Sequence, residues 1–171
     1  MGNKEKSNRV LVKQFFSALQ EFLGEDFILL REVLFELPLK NRKSFAWTEG
    51  RIDCWAIGLC EEYESFIDDP NHHSGFGMTY SIEIKVDKSD YNKEIARPWK
   101  REPAYAFCNR FYFYAPKGLI SPRELPPRTG LLEYSNGEVA KVVEASWHKA
   151  RIPSWEQISY LFSKVKQLPY K

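Results

Sequence analysis

Asp53, Glu83 and Lys85 are the residues of this chain whose types and spacing could do chemistry together. Glu83 and Lys85 are separated only by Ile84. In an extended chain they therefore share a face with Ser81, while Ile82, Ile84 and Val86 line the opposite face. Asp53 belongs to an earlier apolar segment, RIDCWAIG (Arg51–Gly58), and shares its polar register with Arg51. If these two segments pair as strands, two carboxylates and an ammonium meet at one edge of a sheet. Neighbouring carboxylates are costly to ionise together without a cation. A hard divalent ion such as Mg²⁺ or Mn²⁺ removes that cost through oxygen ligation, and it acidifies a bound water. A lysine beside it can orient that water or stabilise charge developing on a phosphate. An acidic residue two before a lysine is weak evidence alone, since about two such tripeptides are expected by chance in this composition. The weight comes from its place in a strand that follows an Asp-bearing strand. The competing reading is a Glu and a Lys facing solvent on a half-buried antiparallel strand.

The elements that must hold these residues follow from periodicity. Met1–Ser7 is polar and expected to fray. From Asn8 to Leu23, Leu11, Phe15, Ala18, Leu19 and Phe22 recur at helical spacing, and Gly24 is a stop signal. Phe27–Leu37 reads as a strand with Phe27, Leu29, Val33, Phe35 and Leu37 on one face and Glu32 and Glu36 on the other. Pro38–Gly50 is basic and turn-rich and reads as a loop, Arg51–Gly58 as a second strand, and Glu61–Met78 as an acidic excursion. After the Tyr80–Val86 strand, Ser89 or Asp90 is placed to cap a helix. Pro98 and Pro103 interrupt that helix, so a second short helix runs to about Asn109. FYFYA (Phe111–Ala115) is a strand. Leu131–Tyr134 and Glu138–Glu144 flank Asn136-Gly137, a two-residue hairpin signal. Ser154-Trp155-Glu156-Gln157 is a capping box opening a last helix to about Gln167. Strands joined by crossover helices imply an α/β fold, a mixed central sheet flanked by helices, in one domain.

Composition restricts the function classes. The 171 residues are 43% hydrophobic, 28% charged and 15% aromatic, with a net charge of +2, an ordinary globular balance. Cys54, Cys60 and Cys108 show neither disulfide nor zinc spacing and read as small buried hydrophobes. No apolar run is long enough to cross a bilayer and no signal-peptide core is present, so a cytoplasmic protein without a membrane partner is expected.

The run RIDCWAI, IEIKVDKSDY, CNRFYFYAPKGLI and LPPRTGLLEYS, spanning Arg51 to Ser135, resembles the PD-(D/E)xK, restriction-endonuclease-like nuclease superfamily. Within it the run is similar to the MmcB-like DNA repair nucleases and related phage or prophage proteins. The resemblance implies a restriction-endonuclease-like core and hydrolysis of DNA phosphodiesters with Mg²⁺ or Mn²⁺. It places Asp53, Glu83 and the main-chain carbonyl of Ile84 on the metal, with Lys85 catalytic. An upstream acidic ligand is common in that superfamily, and Glu32, Glu36 and Glu21 are the candidates. Ile52 stands where the signature's proline would be.

Lys88, Arg97, Lys100 and Arg101, with Trp99 among them, form a basic cluster after the site that could hold phosphates and stack a base. Lys40, Arg42 and Lys43 read as solvated surface, as do His72 and His73. Tyr105 reads as core, and Asp90 as a helix cap that also matches a superfamily position. Two other classes compete with the nuclease: a nucleic-acid-binding module that does not cleave, and an interaction protein in which Glu83 and Lys85 are surface residues. The resemblance admits DNA repair or phage and mobile-element processing as the role, and a homodimer as the assembly.

Overall fold

The computed structural model describes residues 2–38, 47–58, 78–151 and 153–165. The chain runs α1 (Gly2–Leu23), β1 (Phe27–Pro38), β2 (Trp47–Gly58), β3 (Thr79–Ile84), α2 (Lys88–Ile95), a 3-10 turn (Pro98–Arg101), α3 (Glu102–Ala106), β4 (Arg110–Pro116), β5 (Gly130–Ser135), β6 (Glu138–Val143) and α4 (Trp155–Val165). The strands form one six-stranded sheet in sequence order. β1, β2 and β3 make an antiparallel meander, β3, β4 and β5 are parallel, and β6 returns antiparallel. The fold is α/β, a mixed sheet flanked by helices.

Both faces of the sheet are covered. Phe15, Leu19 and Leu23 of α1 pack on Leu29, Cys54, Ala56, Ile82, Ile84 and Tyr114. Tyr91, Ala104, Phe107 and Leu161, from the α2, α3 and α4 side, pack on Leu30, Val33, Trp55, Phe111 and Phe113. A strand buried on both faces needs a continuous apolar run, which is why FYFYA in β4 shows no alternation. Asn109 pins the crossover into β4: its side chain accepts from the Thr79 amide at 2.8 Å and donates to the His148 carbonyl at 3.1 Å. Asn136 and Gly137, both at positive φ (54° and 91°), turn the β5–β6 hairpin as their types require. Ser154 and Gln157 make the reciprocal bonds of the expected capping box.

Several boundaries differ from expectation. α1 begins at Gly2, because Lys4, Glu5 and Lys6 are good helix formers that carry it through the polar start. β2 begins at Trp47, inside the expected loop, and pairs with β1 out to Pro38. The cap of α2 is Asp87, whose Oδ1 accepts from the Asp90 amide at 2.8 Å, so neither Ser89 nor Asp90 plays that part. α3 ends at Ala106, short of Asn109.

The largest departure concerns faces. Phe27 and Leu29 pack on the α1 side, whereas Val33 and Phe35 pack on the opposite side with Leu30. In β2, Ile52 and Trp55 share that opposite side although they are three residues apart. Each strand therefore changes the sense of its alternation once. The two changes face each other, because Glu32 and Asp53 fall between the pairs Arg31–Cys54 and Val33–Ile52. Glu32 has φ of 49°, a left-handed conformation that turns the strand over. An L residue there bears about 1 kcal/mol of strain that glycine does not. Glu32→Gly should accordingly be more stable than Glu32→Ala by ~1 kcal/mol in denaturant unfolding, the reverse of the order at a regular strand position.

Candidate active site

The pairing of β2 with β3 runs from Ile57–Thr79 to Cys54–Ile82 and stops there. Past that point Asp53 reaches across with its side chain: Oδ2 accepts from the Ile84 amide at 2.9 Å. The strands part at this carboxylate, and a cleft of about 460 Å³ opens at the end of β3. Asp53, Glu83, Ile84, Lys85 and Glu32 line it, with Val12 and Phe16 of α1 as an apolar wall.

Glu83 and Lys85 do not face solvent. They are 9% and 4% exposed, and Lys85 Nζ donates to Glu83 Oε2 at 3.2 Å. Their face of β3 is covered by the helical layer, where Ser81 Oγ donates to the Ala104 carbonyl at 3.4 Å. The half-buried, solvated-strand alternative is thereby corrected: the sheet is covered on both faces here. Lys85 Nζ also lies 4.0 Å from Asp90 Oδ2 and 4.0 Å from Glu94 Oε2, one helical turn apart on α2. Glu94 is fixed from behind by Arg101, whose Nη1 donates to the Glu94 carbonyl at 2.7 Å and lies 3.5 Å from Oε1.

Burial, reinforced by the Asp53 charge, pushes the Glu83 carboxyl up to about 8, although Lys85 pulls the other way. Burial alone would lower the Lys85 ammonium, but Glu83, Asp53, Asp90 and Glu94 outweigh it and raise the net value. Lys85 is thus a permanent cation near neutral pH, suited to stabilising negative charge and unsuited to accepting a proton. Burial next to Asp53 and Glu83 also holds the Cys54 thiol neutral.

Asp53, Glu83, Ile84 and Lys85 thus come together as expected, and Glu32 joins them. Glu21 is exposed on α1 and does not line the cleft. The side chain of Glu36 lies outside the described residues, as do Lys40, Arg42, Lys43, Cys60, His72 and His73. Among the described residues no group of three or more His, Cys, Asp and Glu side chains is disposed to hold a metal ion. The cleft is lined by the carboxylates of Glu32, Asp53, Glu83, Asp90 and Glu94, no three of which converge, so a bound ion would draw on two of them, with backbone and waters.

The basic cluster divides. Lys100 lines the cleft, and Arg97 is exposed outside its lining. Lys88 is tied to Glu124 at 2.6 Å and to the Leu119 carbonyl at 3.3 Å. Arg101 is 5% exposed, and its Nη1 is engaged with Glu94, so that end of the guanidinium supports the site from within. The sequence reading omitted Arg31 and placed Arg51 beside Asp53 without giving it a role; both line the cleft. Arg31 lies 3.7 Å over the Phe16 ring, a contact between elements with no local signal. It also omitted Glu94, for which the four-residue spacing from Asp90 was a usable signal.

No family model matches this sequence, and no curated protein matches it. A solved structure of a protein of unknown function from Silicibacter pomeroyi aligns with a TM-score of 0.49 at 17% identity, over 86% of this chain and 77% of that one.

The raised Glu83 carboxyl carries a pH signature. Between its ordinary value of 4.5 and about 8, the folded state keeps a proton that the unfolded state has released. Stability due to this group therefore falls as pH rises through that window and is level on either side. Glu83→Gln should flatten the decline of thermal stability over the same range, measured as the difference between variant and wild type in metal-free buffer.

Proposed function

We propose that this protein is a metal-dependent DNA nuclease of the PD-(D/E)xK type that hydrolyses phosphodiester bonds. The observation that carries the reading is the burial of Glu83 and Lys85 together, two residues apart, beside Asp53 at one cleft. A lysine and a glutamate on an ordinary surface strand would be left in water, where they cost nothing. The likeness of Arg51–Ser135 to the nuclease superfamily supports the same reading and a restriction-endonuclease-like core.

The donors fit a divalent ion of the Mg²⁺ or Mn²⁺ class. Mg²⁺ is commonly bound through one or two carboxylates, substrate phosphate and waters, so a third acidic side chain is not required. Asp53 and Glu83 would hold it, with the Ile84 carbonyl assisting and Glu32 in reach of the same cleft. Bound there, the ion would acidify a water and neutralise charge on the phosphate. Lys85, kept protonated by its carboxylate neighbours, stabilises the charge that builds on the non-bridging oxygens. Arg31, Arg51 and Lys100 supply cations along the cleft for the flanking phosphates, and Arg97 lies beyond it. Asp90 and Glu94 hold the Lys85 ammonium in place from the helix side. The proposed setting is cytoplasmic, in DNA repair or in processing of phage or mobile-element DNA.

The test compares wild type with Asp53→Ala and Lys85→Ala on supercoiled, linear, single-stranded and branched DNA with Mn²⁺, Mg²⁺ or EDTA. Cleavage that needs metal and falls at least about a hundredfold in both variants is expected, from loss of charge stabilisation. DNA binding without cleavage by wild type would leave a non-cleaving nucleic-acid-binding module. A second expectation is a rise in melting temperature with Mn²⁺ for wild type that is absent in Asp53→Ala, since binding to the native state alone stabilises it.

A further inference from the structure

The 3-10 turn Pro98–Arg101 separates two clefts. Lys100 lines the first, with the Asp53, Glu83 and Lys85 cluster. Its neighbours Trp99 and Arg101 line a second, about 610 Å³ in volume, with Tyr105, Pro126 and His148. Trp99 is 54% exposed, a large indole with more than half of its surface open to water. Two further rings line it: Tyr105 lies 5.1 Å from His148 with the planes tilted by 42°, and is backed by the buried Phe111 at 4.8 Å.

Two polar atoms of this second cleft's residues are buried without a partner. They are His148 Nε2, on a residue 8% exposed, and Arg101 Nε, on a residue 5% exposed. Buried polar groups are normally satisfied, so two unpaired atoms on the residues of one cleft call for partners that the fold itself does not supply. Arg101 Nε can only donate, whereas a neutral imidazole nitrogen either donates or accepts. Burial, with the Arg128 charge, lowers the His148 imidazole, so the ring is neutral near pH 7. A planar heteroaromatic ring with hydrogen-bonding edges meets this combination of an exposed indole and unsatisfied polar atoms.

We propose that the second cleft receives an unpaired nucleobase from the same DNA strand whose phosphate occupies the first cleft. The inference rests on the nuclease reading and adds its substrate class, DNA with a single-stranded or distorted segment next to the cleavage point. Adjacent residues of one turn then serve adjacent parts of a nucleotide chain, Lys100 the phosphate and Trp99 the base. A base held in a duplex cannot reach Trp99 without leaving its stack, which is the source of the discrimination.

Binding is measured in EDTA with a fluorescein-labelled oligothymidylate and with a fully paired blunt-ended duplex, for wild type, Trp99→Ala and His148→Gln. Cleavage of both DNAs is measured in Mn²⁺. Trp99→Ala should weaken oligothymidylate binding roughly tenfold, the usual loss for one stacked base, and leave duplex binding unchanged. His148→Gln should alter the ranking among oligothymidylate, oligoadenylate and oligocytidylate. Trp99→Ala is an exposed substitution, so its melting temperature should match wild type. Equal oligothymidylate binding by Trp99→Ala and wild type overturns the base pocket, whether or not the protein cleaves. Trp99-dependent binding with no metal-dependent cleavage of any DNA overturns the nuclease reading instead. No affinity of wild type for oligothymidylate overturns the base pocket, and if Mn²⁺ also gives no cleavage of either DNA, the nuclease reading falls with it.

Discussion

One hydrogen bond decides where the sheet opens. Asp53 Oδ2 takes the Ile84 amide at the point where β2 and β3 cease to pair. A backbone acceptor there would have continued the ladder and closed the gap between the strands. A side-chain acceptor satisfies the same donor while letting the two strands diverge. The cleft, the placement of Glu83 and the approach of Lys85 all follow from that divergence. Glu32 at positive φ, facing Asp53 across β1 and β2, bends the neighbouring strand at the same level. Irregularities of this sort re-aim side chains next to functional sites.

Electrostatics then set the character of the cleft. A carboxylate buried as deeply as Glu83, close to a second one, holds its proton well past the ordinary carboxylate range. Lys85 offsets only part of that cost, because Asp90 and Glu94 share the same ammonium. Arg101 in turn neutralises Glu94 from the far side. The result is a chain of alternating charges running from β3 into α2 and the 3-10 turn. Such networks hold side chains in fixed geometry more reliably than they add stability, since desolvation consumes much of the Coulomb gain.

The scaffold around them is built for rigidity. Packing of α1 on one face and of the later helices on the other leaves β3 and β4 central and dry. A group mounted on such a strand has few rotamers open to it, and holding groups in fixed mutual geometry is what a rigid scaffold contributes to a site. The 3-10 turn after α2 carries the basic and aromatic residues outward from this core, so rigid and exposed parts meet within a few residues.

The sequence alone determined the order of elements, the hairpin at Asn136-Gly137, the box at Ser154 and the convergence of Asp53 with Glu83 and Lys85. These rest on local chemistry: period-two alternation, positive-φ turn residues and reciprocal capping bonds. Tertiary structure decided the rest. Alternation could not show that β1 and β2 turn over at Glu32 and Asp53, because a change of φ leaves residue types unaltered. Nor could it show that the polar face of β3 is covered, since a buried Glu–Lys pair and a solvated one read the same in one dimension. Arg101 and Lys88 look like free cations in RPWKR and VDKSD. Only their distances to Glu94 and Glu124 show them occupied. Charge, unlike hydrophobic periodicity, has no direction until the chain is folded, so a sequence gives which groups are ionisable and the fold gives what each one faces.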